Sequence, residues 1–165
     1  NNAKKFSTLF AGFAEKFLGV PCSLTFDEIN GQKRFYPVID SIIRESEEEL
    51  SESQRFFVDH SFRMSILSFF YKTPSFYIVE TPGSSLDISY ERNAADVFLK
   101  FLNKPYSLII TTNLNNSEFL NYIVKSSKDV SIINLLEIGR KSPIQDQSSV
   151  LNSIINKIQK NIHER

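Results

Sequence analysis

The pentad Leu50-Ser51-Glu52-Ser53-Gln54 stands at the mouth of a long apolar stretch, and Glu80 closes a run of four apolar residues, Phe76 to Val79. Both are places where polar groups could do chemistry. A serine at the start of a helix sets a hydroxyl beside backbone N–H groups and a partial positive charge, the makings of an anion site. The same residues fit a capping box, in which Ser51 caps its own helix and Gln54 stands three positions on. On the pentad alone both readings stand. A carboxylate at the end of an apolar strand is a hard oxygen ligand of the kind Mg²⁺ prefers, or else a surface group at a strand end. Beyond it come Ser84, Ser85 and Asp87, of which Asp87 is equally suited to cap the next helix. Other polar residues offer less. His60 and Ser61 are helix neighbours facing different directions, so they imply no nucleophile–base pair. Six lysines (4, 5, 125, 128, 157 and 160) are scattered over separate segments and make no nucleic-acid footprint.

Several elements must position these groups. From Ala3 to Leu18 the residues Phe6, Leu9, Phe10, Phe13, Phe17 and Leu18 recur at helical steps, and Gly19 supplies a C-cap. A hairpin is predicted around Asn30-Gly31, with Pro37 suggesting an edge strand. The acidic segment 44–50 leads into a helix from about Ser51 to Tyr71, with Phe57, Phe62, Met64, Ile66, Leu67 and Phe70 as core; Phe56 and Phe69 are read as core as well. Phe76 to Val79 reads as a strand buried on both faces. An amphipathic helix over Tyr90 to Leu102 follows, then a second strand in "YSLIITTN". A short helix over Ser117 to Lys125, a third strand in "VSIINLLEI" and a closing helix carrying Val150, Ile154, Ile155 and Ile158 complete the pattern. Strand and helix alternate from Phe76 onward, so the predicted fold is α/β: a mostly parallel sheet covered by helices, preceded by a helix and a hairpin.

Composition bounds what such a fold could do. The 165 residues suit one domain, and 19 basic residues balance 19 acidic ones, so no net field favours nucleic acid or a membrane. Cys22 is the single cysteine, and His60 and His163 lie far apart with no second cysteine to complete a zinc site. No apolar run reaches the roughly 18 residues of a membrane span, and a reducing, cytoplasmic setting with no membrane partner is expected. The opening "NNAKKFSTLFAGFAEKFLG" reads as a helix already under way, which predicts a piece of a longer protein.

Leu50-Ser51-Glu52-Ser53-Gln54 resembles the LSGGQ signature of ABC-type ATPases. "FYIVETPGSSLD" is similar to their Walker B strand and D-loop, and "LIITTN" to the strand leading to their switch histidine. The three motifs occur in the family's order over roughly residues 49–113 and most resemble the C-terminal lobe of SMC-like heads. The resemblance implies that residues 1–165 are the C-terminal half of an ATPase head, with 1–19 the end of a coiled-coil helix and 20–165 the signature and Walker B lobe. It implies ATP held on a partner head, with Ser51, Glu52, Ser53 and Gln54 facing the γ-phosphate. Glu80 would lie beside Mg²⁺, and Ser85 and Asp87 in the D-loop would reach across a homodimer of heads. It further implies a role in DNA repair, chromosome maintenance or phage defence, with DNA or a nuclease or effector subunit as partner.

The sequence departs from that pattern at consequential places. Where the family reads Asp-Glu-Pro, this chain reads Glu80-Thr81-Pro82, and Asn113 replaces the switch histidine. Thr81 is no carboxylate base, so weak or conditional hydrolysis is expected. Glu52 and Ser53 replace two glycines. None of the five glycines forms a GxxxxGK(S/T) loop, so ATP binding requires an N-terminal lobe in the same or a separate chain. The rival readings are a degenerate scaffold or dimerisation module without hydrolysis, and an unrelated α/β binding domain with chance motifs.

Overall fold

The computed structural model describes residues 2–80, 86–102, 105–114 and 117–164. Helix α1 spans Asn2–Leu18 and buries Phe10, Ala14, Phe17 and Leu18 along one stripe. Gly19 ends it at φ 72°, with its N–H on the Glu15 carbonyl, a left-handed stop that any side chain would strain. Strands β1 (Cys22–Ile29) and β2 (Gln32–Ile39) then form an antiparallel hairpin, with Ile29 opposite Gln32. Its turn residues Asn30 and Gly31 both have positive φ, 53° and 76°, as a tight turn matched to strand twist demands. The short strand β3 (Ile42–Ile43) pairs on the far side, so β2 is the middle strand rather than an edge. Pro37 is tolerated because pairing with β3 begins only at Val38.

After a 3₁₀ turn at Glu47–Glu49 comes helix α2 (Glu52–Phe70). It packs on α1 through a face on which Phe57 and Met64 alternate with the buried serines 61, 65 and 68. Phe17 of α1 stacks on Phe57 at 5.0 Å and meets Phe98 edge-on at 5.3 Å. Phe56, Phe62, Leu67 and Phe69 are half-buried, but Phe70 is 68% exposed and is not a core residue.

Strand β4 (Ser75–Glu80), helix α3 (Ile88–Leu102) and strand β5 (Tyr106–Thr111) make one β-α-β unit with the strands parallel and in register, Ser75 opposite Tyr106 and Glu80 opposite Thr111. Among the described residues this parallel sheet has two strands and the antiparallel sheet three. The fold is α/β, but its sheet is not mostly parallel. Nor is β4 covered on both faces: Val79 is fully buried, while Phe76, Ile78 and Ile109 of the opposite face are 67%, 58% and 52% exposed. Four consecutive apolar residues here mark two apolar faces, one of which nothing among the described residues covers.

The C-terminal part is helical: α4 (Ser117–Ser126), α5 (Leu135–Ile138), α6 (Pro143–Asp146) and α7 (Ser149–His163). The strand expected over Val130 to Ile138 is replaced by irregular chain running into α5. The Asn134 side chain accepts the Leu136 N–H and so starts a helical turn where a strand would need an extended backbone, and Ile133, Leu135 and Ile138 stay exposed. Helix α7 packs on α4 through Ile155 and Ile158, while Val150 remains exposed.

Candidate functional site

The N-terminus of α2 is built as a complete capping box. The Gln54 N–H donates to Ser51 Oγ at 3.2 Å, and the Ser51 N–H donates to the Gln54 side-chain oxygen at 3.1 Å. The capping role of Ser51 is therefore realised. It does not exhaust the residue, because a hydroxyl that accepts one hydrogen bond keeps its own proton to donate, and Ser51 is exposed. Leu50 is buried just before it and anchors the turn. Glu52 faces solvent, whereas Ser53 is 7% exposed and points into the protein.

Ser53 reaches the next motif. Its Oγ accepts the backbone N–H of Asp87 at 3.3 Å, joining the first turn of α2 to the start of α3. Asp87 itself caps α3: its Oδ1 accepts the Ser89 N–H at 2.8 Å and the Ser89 hydroxyl at 2.7 Å. These bonds hold its carboxyl below the usual range by stabilising the charged form. The cap role of Asp87 is thus also realised. Thr81, Pro82, Gly83, Ser84 and Ser85 lie outside the described residues.

Glu80 sits exposed at the C-terminal end of β4, paired with Thr111 on β5. Asn113, two residues past β5, is exposed at the same end, and the Thr112 hydroxyl donates to its carbonyl at 3.3 Å. The structure therefore brings Glu80 and the segment of Asn113 to one edge of the parallel sheet, the edge at which open α/β sheets bind ligands. Among the described residues no three His, Cys, Asp or Glu converge, and Glu80 is the carboxylate that β4 itself brings to this edge. Mg²⁺ commonly takes one or two protein carboxylates and completes its shell with water and phosphate, so Glu80 fits as one ligand of such a shell and no more.

A contact that the sequence did not reveal lies behind this edge. His60 of α2 and Tyr77 of β4, 17 residues apart, meet through a 2.7 Å hydrogen bond between Nδ1 and the phenol oxygen. His60 is 7% exposed and sits against the rings of Phe56 at 4.2 Å and Phe98 at 5.8 Å. Burial pushes its pKa down to about 4; Asp59 opposes that and Arg63 adds to it. Burial also pushes the Tyr77 phenol well above its ordinary value. The imidazole is therefore neutral near pH 7 and serves as a polar link between helix and strand. Only its position on the buried face of the helical repeat, between Phe57 and Met64, hinted at such a role.

Two further surfaces are defined. An open groove of about 560 Å³ between α1, α2 and the hairpin is lined by Phe6, Phe26, Phe35, Phe62, Phe69 and Phe70 among others. A polar cleft of about 240 Å³ beside α4 and α7 is lined by Lys125, Ser127, Lys128, Asn161 and Glu164. Among the described residues no helix is long and apolar enough to cross a membrane. Compared with known proteins, the chain matches no family model and no curated protein.

Proposed function

We propose that this chain is the C-terminal, signature-bearing lobe of an SMC-like ATPase head that works by ATP-dependent head dimerisation. The observation that carries the reading is the parallel β4-α3-β5 unit, with Glu80 and Thr111 in register at its C-terminal edge, preceded by the capped N-terminus of α2. In this reading Ser51 and the backbone amides that follow it face the γ-phosphate of ATP bound to a partner head, whereas the buried Ser53 side chain is turned away toward Asp87. Glu80 supplies one oxygen to Mg²⁺ or its water shell, Asn113 stands where a γ-phosphate contact is needed, and Ser85 and Asp87 belong to the stretch that crosses the dimer.

The uncovered sheet face supports a missing lobe. Among the described residues Phe76, Ile78 and Ile109 expose apolar surface on one side of a two-stranded sheet, and isolated sheets of that size need cover to be stable. The N-terminal lobe, in the same chain or a separate one, would bury that face and bring the phosphate-binding loop that the chain's five glycines do not form. Thr81 in place of a carboxylate base makes hydrolysis slow, so closure on nucleotide rather than turnover is the working event. Cytoplasmic location, action in DNA repair, chromosome maintenance or phage defence, and engagement of DNA or a nuclease or effector subunit extend the same proposal.

A second reading is favoured by Thr81 and Asn113 specifically: a lobe that kept the fold and serves as scaffold without hydrolysis. The solution size of the complete head, both lobes present, with and without Mg-ATP, tests the first. An ATP-dependent dimer that Ser51→Arg abolishes is expected. A head whose size ignores ATP in both forms refutes the clamp and leaves the scaffold.

A further inference from the structure

Helix α2 is bonded both to the strand that carries Glu80 and to the start of α3. Three residues before Glu80, Tyr77 bonds His60 at 2.7 Å; seven residues after it, the Asp87 N–H bonds Ser53 Oγ at 3.3 Å. Ser53 and His60 are seven positions apart on one helix, which is two turns, so they lie on the same face. Between them Phe57 packs edge-on against Tyr90 of α3 at 5.4 Å. Both polar side chains are 7% exposed, so on the α2 side each bond is largely shielded, while Tyr77 is half-buried and Asp87 is exposed. The Ser53 bond is particular to this sequence, since the glycine of an LSGGQ signature has no hydroxyl to accept it.

We propose that α2 is a two-point relay, in which Ser53 and His60 are positioning residues that fix the Glu80 strand end and the first turn of α3 relative to the N-terminus of α2. The inference rests on the clamp reading above. A phosphate engaging Ser51 bears on the first turn of α2, a packed helix moves as a rigid element, and the end of β4 and the start of α3 follow it. Neither side chain touches nucleotide in this account; each acts through the backbone it holds.

Amide hydrogen exchange on the complete head, with and without Mg-ATP, tests the relay at residues 78–80 and 87–89. Ser53→Ala is expected to speed exchange at Asp87 about three- to tenfold without nucleotide, the scale of one lost hydrogen bond, and to remove the ATP-driven change there while the dimer still forms. Ser53→Thr, which keeps the hydroxyl, restores it. His60→Phe acts likewise at residues 78–80, and His60→Asn, which keeps a polar atom near the Nδ1 position, restores the coupling. A purely packing role would make Thr behave like Ala and Asn like Phe, and that result overturns the relay. ATP-driven changes as large in Ser53→Ala and His60→Phe as in wild type overturn it too, leaving the clamp standing. Wild type that does not dimerise with ATP overturns both together.

Discussion

Acid should loosen this protein through His60. Its pKa in the folded state is about 4 against an ordinary 6.5, so the folded state disfavours the charged imidazole. A depressed folded pKa contributes stability that is fully present above pH 6.5 and is lost as pH falls toward 4. At about 1.4 kcal/mol per pKa unit, that gap amounts to about 3 kcal/mol, a large fraction of the 5–15 kcal/mol by which domains are typically stable. The groups around the ring are Asp59 and Arg63 on α2 and Tyr77 on β4, with the apolar Phe98 on α3. Burial is the leading cause of the shift, so salt should change the effect little. The assay is urea unfolding between pH 7.5 and 4 for wild type and His60→Phe, which keeps a ring and cannot titrate. Carboxylates titrate in both proteins and cancel in the difference. Wild type should lose about 3 kcal/mol more than the variant across the window. Parallel pH profiles, or an NMR titration placing His60 near 6.5, would refute the reasoning.

Other substitutions read out single contacts. Glu91 is 3% exposed on α3 and its Oε2 accepts the Phe119 N–H of α4 at 2.8 Å; Glu91→Ala should cost about 1–3 kcal/mol by leaving that amide unpaired, seen as a lower urea midpoint. Glu91→Gln keeps an acceptor and should cost little. Because burial raises the Glu91 pKa, the Gln variant should also gain relative stability as pH rises above the ordinary carboxylate range, the opposite sign to His60. Phe17→Ala, at the fully buried junction of α1, α2 and α3, should cost about 3–5 kcal/mol in the same assay. Ile78→Thr on the uncovered sheet face should leave the stability of the chain nearly unchanged, and under the proposed function it should weaken capture of the chain by an N-terminal lobe in a pull-down.

Local chemistry is what the sequence made legible. Asn30-Gly31 fixed the hairpin because few other pairs accept two positive φ angles, and Ser51 with Gln54 marked the start of α2 because the capping box is written within four residues. The stripe of α1 was readable for the same reason, since Phe10, Ala14 and Phe17 return to one face every three or four positions. What failed needed knowledge of neighbours. A run such as Phe76 to Val79 states that both faces of a strand are apolar, not that both are covered. Val130 to Ile138 is apolar enough for a strand, yet a short apolar run does not by itself distinguish strand from other structure, and the Asn134 side chain turns the chain locally. Pro37 argued for an edge, but a two-residue partner strand can pair beside it. At the candidate site, the placement of Ser51 and Glu80 at element ends followed from the pattern, whereas the His60–Tyr77 and Ser53–Asp87 bonds join residues 17 and 34 positions apart and depend on how α2 lies across the β-α-β unit.

The central claim is that the N-terminus of α2 meets ATP held by another head, and a distance measures it most directly. Glu48 is exposed one turn before Ser51, and Cys22 is 1% exposed with a thiol pushed up to about 12 by burial and by Glu15, so a nitroxide on Glu48→Cys labels one site of this chain. With Mn²⁺ replacing Mg²⁺ and a non-hydrolysable ATP on the complete head, the account predicts strong relaxation of the label by the metal that disappears when Ser51→Arg is added. A label that Mn-nucleotide leaves unrelaxed, in a head shown to bind that nucleotide, would contradict it.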